Sequence, residues 1–110
     1  MPANASARYG ETVERAAITL LAMSFRPELK SSLVEEIATA VAIRGGRIDN
    51  HWLAKFELAA VIEEVAERTI TILSAALRER LPNVADEIDE AFGKSLRKLL
   101  TSFSHLFPTL

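Results

Sequence analysis

The sequence predicts an all-α domain, a four-helix bundle-like fold arranged around one long central helix, and three observations carry that expectation. Apolar residues recur at the i, i+3, i+4, i+7 spacing of amphipathic helices through nearly the whole chain. Strong breaks fall between the periodic segments, at Pro27, Gly45-Gly46 and Pro82. The stretch from Asn50 to Arg80 holds neither Gly nor Pro, and its apolar positions keep one period from end to end. With hydrophobic residues at 49% and charged residues at 25%, the chain has globular composition, so a single folded domain over residues 1–110 is expected.

The first helix is expected over about residues 8–25, with Tyr9, Val13, Ala16, Ala17 and Leu20 on its apolar face and Glu11 and Glu14 in the early turns, where the macrodipole favours acids. Residues 1–7, small and polar, read as a frayed terminus. Pro27 stops this helix near Arg26. Ser32-Leu33-Val34-Glu35 reads as a capping box that starts a short second helix over 32–44, whose core face is Leu33, Val34, Ile37, Ala38 and Val41. Gly45-Gly46 ends it by supplying the left-handed backbone a helix C-terminus prefers. Asp49 is the expected cap of the long third helix over 50–80, with Ile48 stapled to Leu53.

Two apolar stripes run along that helix. Trp52, Phe56, Ala59, Ile62, Ala66, Ile70, Leu73 and Leu77 form one, and Leu58, Val61, Val65, Ile72 and Ala76 form a second beside it. The apolar arc exceeds half the circumference, so the helix must be contacted from two directions. Leu81-Pro82-Asn83 then breaks the chain, and a tight turn makes the third and fourth helices an antiparallel hairpin. The fourth helix, over 84–106, carries Asp86, Glu87, Asp89 and Glu90 early and Lys94, Arg97 and Lys98 late, with a stripe of Ile88, Phe92, Leu96, Leu99, Phe103 and Leu106.

Lengths lead to a further expectation. Short first and second helices do not sheathe a central helix of about 45 Å, so a homodimer is expected, formed through the third helix. Its second stripe, Leu58, Val61, Val65 and Ile72, is the expected dimer or partner interface, with Trp52, Phe56, Phe103 and Phe107 as further apolar contact residues. Across the hairpin, Asp89 falls opposite about residue 76 or 77, within reach of Arg80 or Arg78, which predicts a partly buried structural ion pair, assigned to Arg80 and Asp89.

Composition also bounds function. Thirteen basic residues against fifteen acidic ones give no global attraction to phosphate or anionic lipid, so nucleic acid would need a local patch. The chain has no cysteine and hence no disulfide or thiolate metal site. The longest apolar run, Ala16 to Phe25, is too short for a bilayer span, and a cytoplasmic location is the expectation. The two histidines, His51 and His105, lack ligand partners at metal-pair spacing, and no nucleophile or phosphate-binding motif frames the serines and threonines. No metal and no cofactor are therefore expected.

Two specific chemistries remain as alternatives. Residues 38–55, with Gly45-Gly46 between two helices and Arg44, Arg47, His51 and Lys55 around the turn, have the layout of a helix-turn-helix DNA reader. Glu63-Glu64-x-x-Glu67 followed by Asp86-x-x-Asp89 resembles the paired acidic motifs of the MazG-type nucleotide pyrophosphatases. That resemblance covers about 27 residues and implies carboxylates on facing helices holding Mg²⁺ against phosphates. Helical projection instead sets Glu64 near the centre of the polar arc, roughly opposite Ile62 and Leu73, as a solvated acidic face would. The leading expectation is a small non-enzymatic interaction module: a regulator that binds and sequesters another protein, such as a transcription regulator, in the manner of an antiactivator.

Overall fold

A computed structural model of the chain describes the backbone of residues 2–46, 51–83 and 85–103, and side chains at 7–46, 55–83, 86–87 and 89–102. Four α-helices follow one another: α1 (Pro2–Met23), α2 (Lys30–Arg44), α3 (His51–Arg80) and α4 (Ala85–Phe103), with a single 3₁₀ turn at Pro27–Leu29 between the first two. The all-α, bundle-like expectation with a long third helix holds, and no strand occurs among the described residues.

Two boundaries differ from the sequence reading. Helix α1 begins at Pro2 and not at residue 8. Pro at the first helical position has its φ already set for helix, and the alanines that follow are strong helix formers, so local propensity extends the helix where polarity suggested fraying. Helix α2 begins at Lys30, so Ser32 and Glu35 lie inside it and form no capping box; the N-cap is Leu29, which makes no side-chain cap hydrogen bond. The reason is again a proline. Pro27 opens the 3₁₀ turn, Leu29 already has helical φ and ψ of −76° and 0°, and α2 continues from it without a break.

At the other end of α2 the expectation is met in detail. Gly45 is left-handed at φ 100°, its N–H donates to the Ala42 carbonyl at 3.1 Å, and the Gly46 N–H donates to Val41 at 3.0 Å. This pair of bonds is the Schellman motif. Gly46 is also buried against α3: a Cβ there would stand 2.6 Å from Glu57 Cγ. The expected Asp49 cap and Ile48 staple lie outside the described residues.

Helices α1 and α2 form an antiparallel pair that packs across one side of α3. Val13, Ala16, Ala17 and Leu20 of α1 and Leu33, Ile37, Ala40 and Val41 of α2 share a core with Leu58, Val61, Val65 and Ala66 of α3. Small residues let α1 approach closely, and the buried Thr69 hydroxyl bonds the Val65 carbonyl at 2.7 Å, 3.5 Å from the Ala17 carbonyl. This burial corrects the interface expectation. Val61 and Val65 are 0% exposed and Leu58 3% exposed inside one chain, while Ile72 packs half-buried at the edge of the same core, so these residues offer no surface to a second copy. The cover comes from α1 and α2 lying side by side across α3, Val13, Ala16, Ala17 and Leu20 of one beside Leu33, Ile37, Ala40 and Val41 of the other, so two shorter helices bury together what neither buries alone.

Helix α4 lies on another side of α3 and runs antiparallel to it. Register is fixed by Arg78 opposite Asp86, Ser74 opposite Asp89, Ile70 beside Gly93 and Glu63 near Arg97. Among the described residues, Leu96 and Leu100 are its buried apolar side chains. The inward face is therefore Asp89, Gly93, Leu96 and Leu100, rotated from the predicted stripe, and Phe92 and Leu99 are left 43% and 37% exposed.

Candidate interaction surface

Two places bear on the residues the sequence singles out, one polar and one apolar; apart from them, Phe25 just after the end of α1 is 87% exposed. The polar one is a junction of α1, α2 and α3 around Arg44, the last residue of α2. Its Nε pairs with Glu57 Oε2 at 2.6 Å and its Nη1 with Glu64, while the same Nη1 donates to the Tyr9 hydroxyl at 3.2 Å. The guanidinium also lies 5.9 Å from the centroid of the Tyr9 ring, a cation–π distance. Burial pushes the Tyr9 phenol up to about 12, against a downward pull from Arg44 and with an upward push from Glu64. The Arg44 pKa is also raised, first by its bond to Tyr9. One side chain thus ties three helices together.

Beside this junction a cleft of about 350 Å³ is lined by Val13, Glu64, Glu67, Arg68 and Thr71. It contains two of the carboxylates of the acidic motif, but the remaining ones are elsewhere. Glu63 turns toward α4 and pairs with Arg97 at 3.4 Å; Asp86 pairs with Arg78 at 3.3 Å; Asp89 accepts from Ser74. The antiparallel register explains the dispersal, because a tight turn after Leu81 places Asp86 and Asp89 opposite residues 74–78, two to three turns beyond Glu67. Among the described residues no three His, Asp or Glu side chains come together as a metal site.

The helix-turn-helix reading loses its best-placed cation in the same way. Arg44 is committed to two glutamates, and Gly46 is buried against α3 instead of opening a groove-facing turn. Lys55 is exposed, and the side chains of Arg47 and His51 lie outside the described residues.

The predicted ion pair is also corrected. Asp89 lies opposite Ser74, one turn earlier on α3 than Arg78, and receives the Ser74 hydroxyl; its other oxygen, Oδ1, is buried without a hydrogen-bond partner among the described residues. Arg80 is exposed and forms no ion pair there.

The apolar place is the α3–α4 hairpin, which leaves large apolar side chains uncovered on both of its helices. Phe56 is 70% exposed, one to two turns before the part of α3 that α4 covers, and Phe92 and Leu99 project from α4 beside its buried face. Of the interface residues expected from sequence, Phe56 alone stands in the open among the described side chains. Trp52 and Phe103 lie in α3 and α4 with side chains outside the described set, as does the whole of Phe107. Phe92 and Leu99 belong to the apolar stripe that periodicity predicts, and the inward positions Gly93 and Leu100 rotate the buried face away from them. No helix among the described residues is long and apolar enough to cross a membrane. Comparison with models of protein families, with curated proteins and with solved structures gives no match to this chain.

Proposed function

We propose that the chain is a non-enzymatic interaction module, a small regulator that binds and sequesters another protein through the uncovered apolar side chains of the α3–α4 hairpin. The observation that carries this reading is the exposure of Phe56, Phe92 and Leu99 while smaller residues such as Ala40 and Val61 fill the core. Large apolar side chains set outward on rigid helices are anchors of the kind interfaces use. The carboxylates give independent support, since four of the five in the acidic motif are each engaged with a different helical neighbour. A transcription regulator whose own dimerisation surface is apolar and helical fits these side chains best.

The test is crosslinked capture from cells that make the protein naturally, comparing wild type with Phe56→Glu and Phe92→Glu. A stoichiometric protein partner should be retained by wild type and lost from at least one variant, with helical circular dichroism unchanged in both. Wild type recovered without a partner, or a partner held equally by both variants, would overturn the proposal.

A further inference from the structure

We infer that the outer face of α4 is a docking site for a second copy of this chain, with the two α4 helices antiparallel and the two-fold axis passing beside Phe92. This deepens the interaction-module reading by naming the occupant of its α4 part, and it leaves Phe56 for the heterologous partner.

The argument starts from what borders the exposed apolar residues. Phe92 and Leu99 are seven positions apart, two turns, and so lie in line on one edge of α4. One flank of that edge is closed by α3, against which Asp89, Gly93, Leu96 and Leu100 are turned, and the Asp86 and Arg97 ion pairs lie on the far side of that buried face. The other flank is open and carries the exposed small residues Ala91 and Ser95, which admit a close neighbour. Beyond them, on the same side, stand Glu87 and Lys98, both exposed and neither in an ion pair among the described residues.

These two charges select the occupant. Eleven positions separate them, about 16 Å along the helix, so they cannot pair with each other. An isologous partner reverses the direction of its helix, which sets Glu87 against Lys98 of the other copy and Lys98 against its Glu87. The midpoint between them falls beside Phe92. The same axis that satisfies both charge pairs therefore stacks Phe92 on its own symmetry mate and lays Leu99 over the first turn of the opposing helix. A parallel arrangement sets Glu87 against Glu87 and Lys98 against Lys98, so charge complementarity specifies the antiparallel one.

The experiment is sedimentation equilibrium on the full chain across a concentration series, with circular dichroism to verify folding. Wild type should show a concentration-dependent dimer, and Phe92→Glu, at a position already half in solvent, should remain helical and monomeric. Glu87→Lys or Lys98→Glu alone should weaken dimerisation about tenfold, the scale expected when two symmetry-related surface pairs turn from attraction to repulsion. The double reversal Glu87→Lys with Lys98→Glu should restore it. Wild type that stays monomeric, single reversals without effect, or a double reversal that fails to rescue would each overturn the arrangement; Leu99→Ser repeats the apolar arm if Phe92→Glu unfolds. The outcomes separate cleanly from the sequestration reading: a monomer that still captures a partner refutes only the second copy, and a dimer that captures none refutes only the regulator.

Discussion

The two covered sides of α3 are built on different terms. Toward α1 and α2 it meets a layer in which twelve of the described core residues are shared among these three helices, with alanines among them and Arg44 binding the rim. Toward α4 it meets one helix that buries Leu96 and Leu100 and is otherwise held by surface pairs such as Arg78–Asp86 and Arg97–Glu63. Apolar burial is worth far more than exposed ion pairs, so the first side sets the stability of the fold and the second remains a place where binding can act.

Substitutions should divide along that line. The largest effect is expected from Val65→Arg, which buries a charge at a position with no exposure; a loss of about 4 kcal/mol or more would abolish helical circular dichroism. Leu99→Arg on the other side should change stability by under about 1 kcal/mol in dilute protein. Equal effects at the two positions would erase the distinction. Next comes Gly46→Ala, whose Cβ must displace Glu57 atoms at 2.6 and 2.7 Å, with an expected cost of about 1 to 3 kcal/mol in urea unfolding. An unchanged midpoint would show that the α2–α3 corner can relax.

Arg44→Met should cost about 1 kcal/mol, because its ion pairs are partly solvated. The gap to wild type should narrow as salt is raised, and a salt-independent gap would assign the effect to packing. The smallest effect is a pH dependence. The Tyr9 phenol, ordinarily at 10, is pushed up to about 12 in the folded chain, so its contribution is complete below pH 10 and is lost as pH rises from 10 to 12. Wild type should therefore lose stability over that window more steeply than Tyr9→Phe, and parallel curves would place the phenol outside the junction.

Much of this was legible from residue patterns, and the failures have separate physical causes. The glycine C-cap, the long α3 and the hairpin after Leu81 follow from local chemistry, and local chemistry is what a sequence displays. The burial of Val61 and Val65 is readable as a need for cover but not as its source, because the answer depends on how α1 and α2 lie together across α3. The inward face of α4 was misplaced because Gly93 packs by having no side chain, which hydrophobic periodicity scores as nothing. Arg44 looked like a cation available to DNA, and only tertiary contacts reveal Glu57 and Glu64 beside it.

The junction around Arg44 leaves a trace that can be sought in other chains. Arg-Gly-Gly at 44–46, an acid eleven positions after the second glycine, another seven further on, and a tyrosine 35 residues before the arginine are each required, Gly45 by its left-handed backbone and the others by a contact. Core residues can exchange among Leu, Ile and Val at little cost, whereas these six positions cannot drift independently. A distant relative would be recognised by that spacing even after its hydrophobic residues had ceased to align.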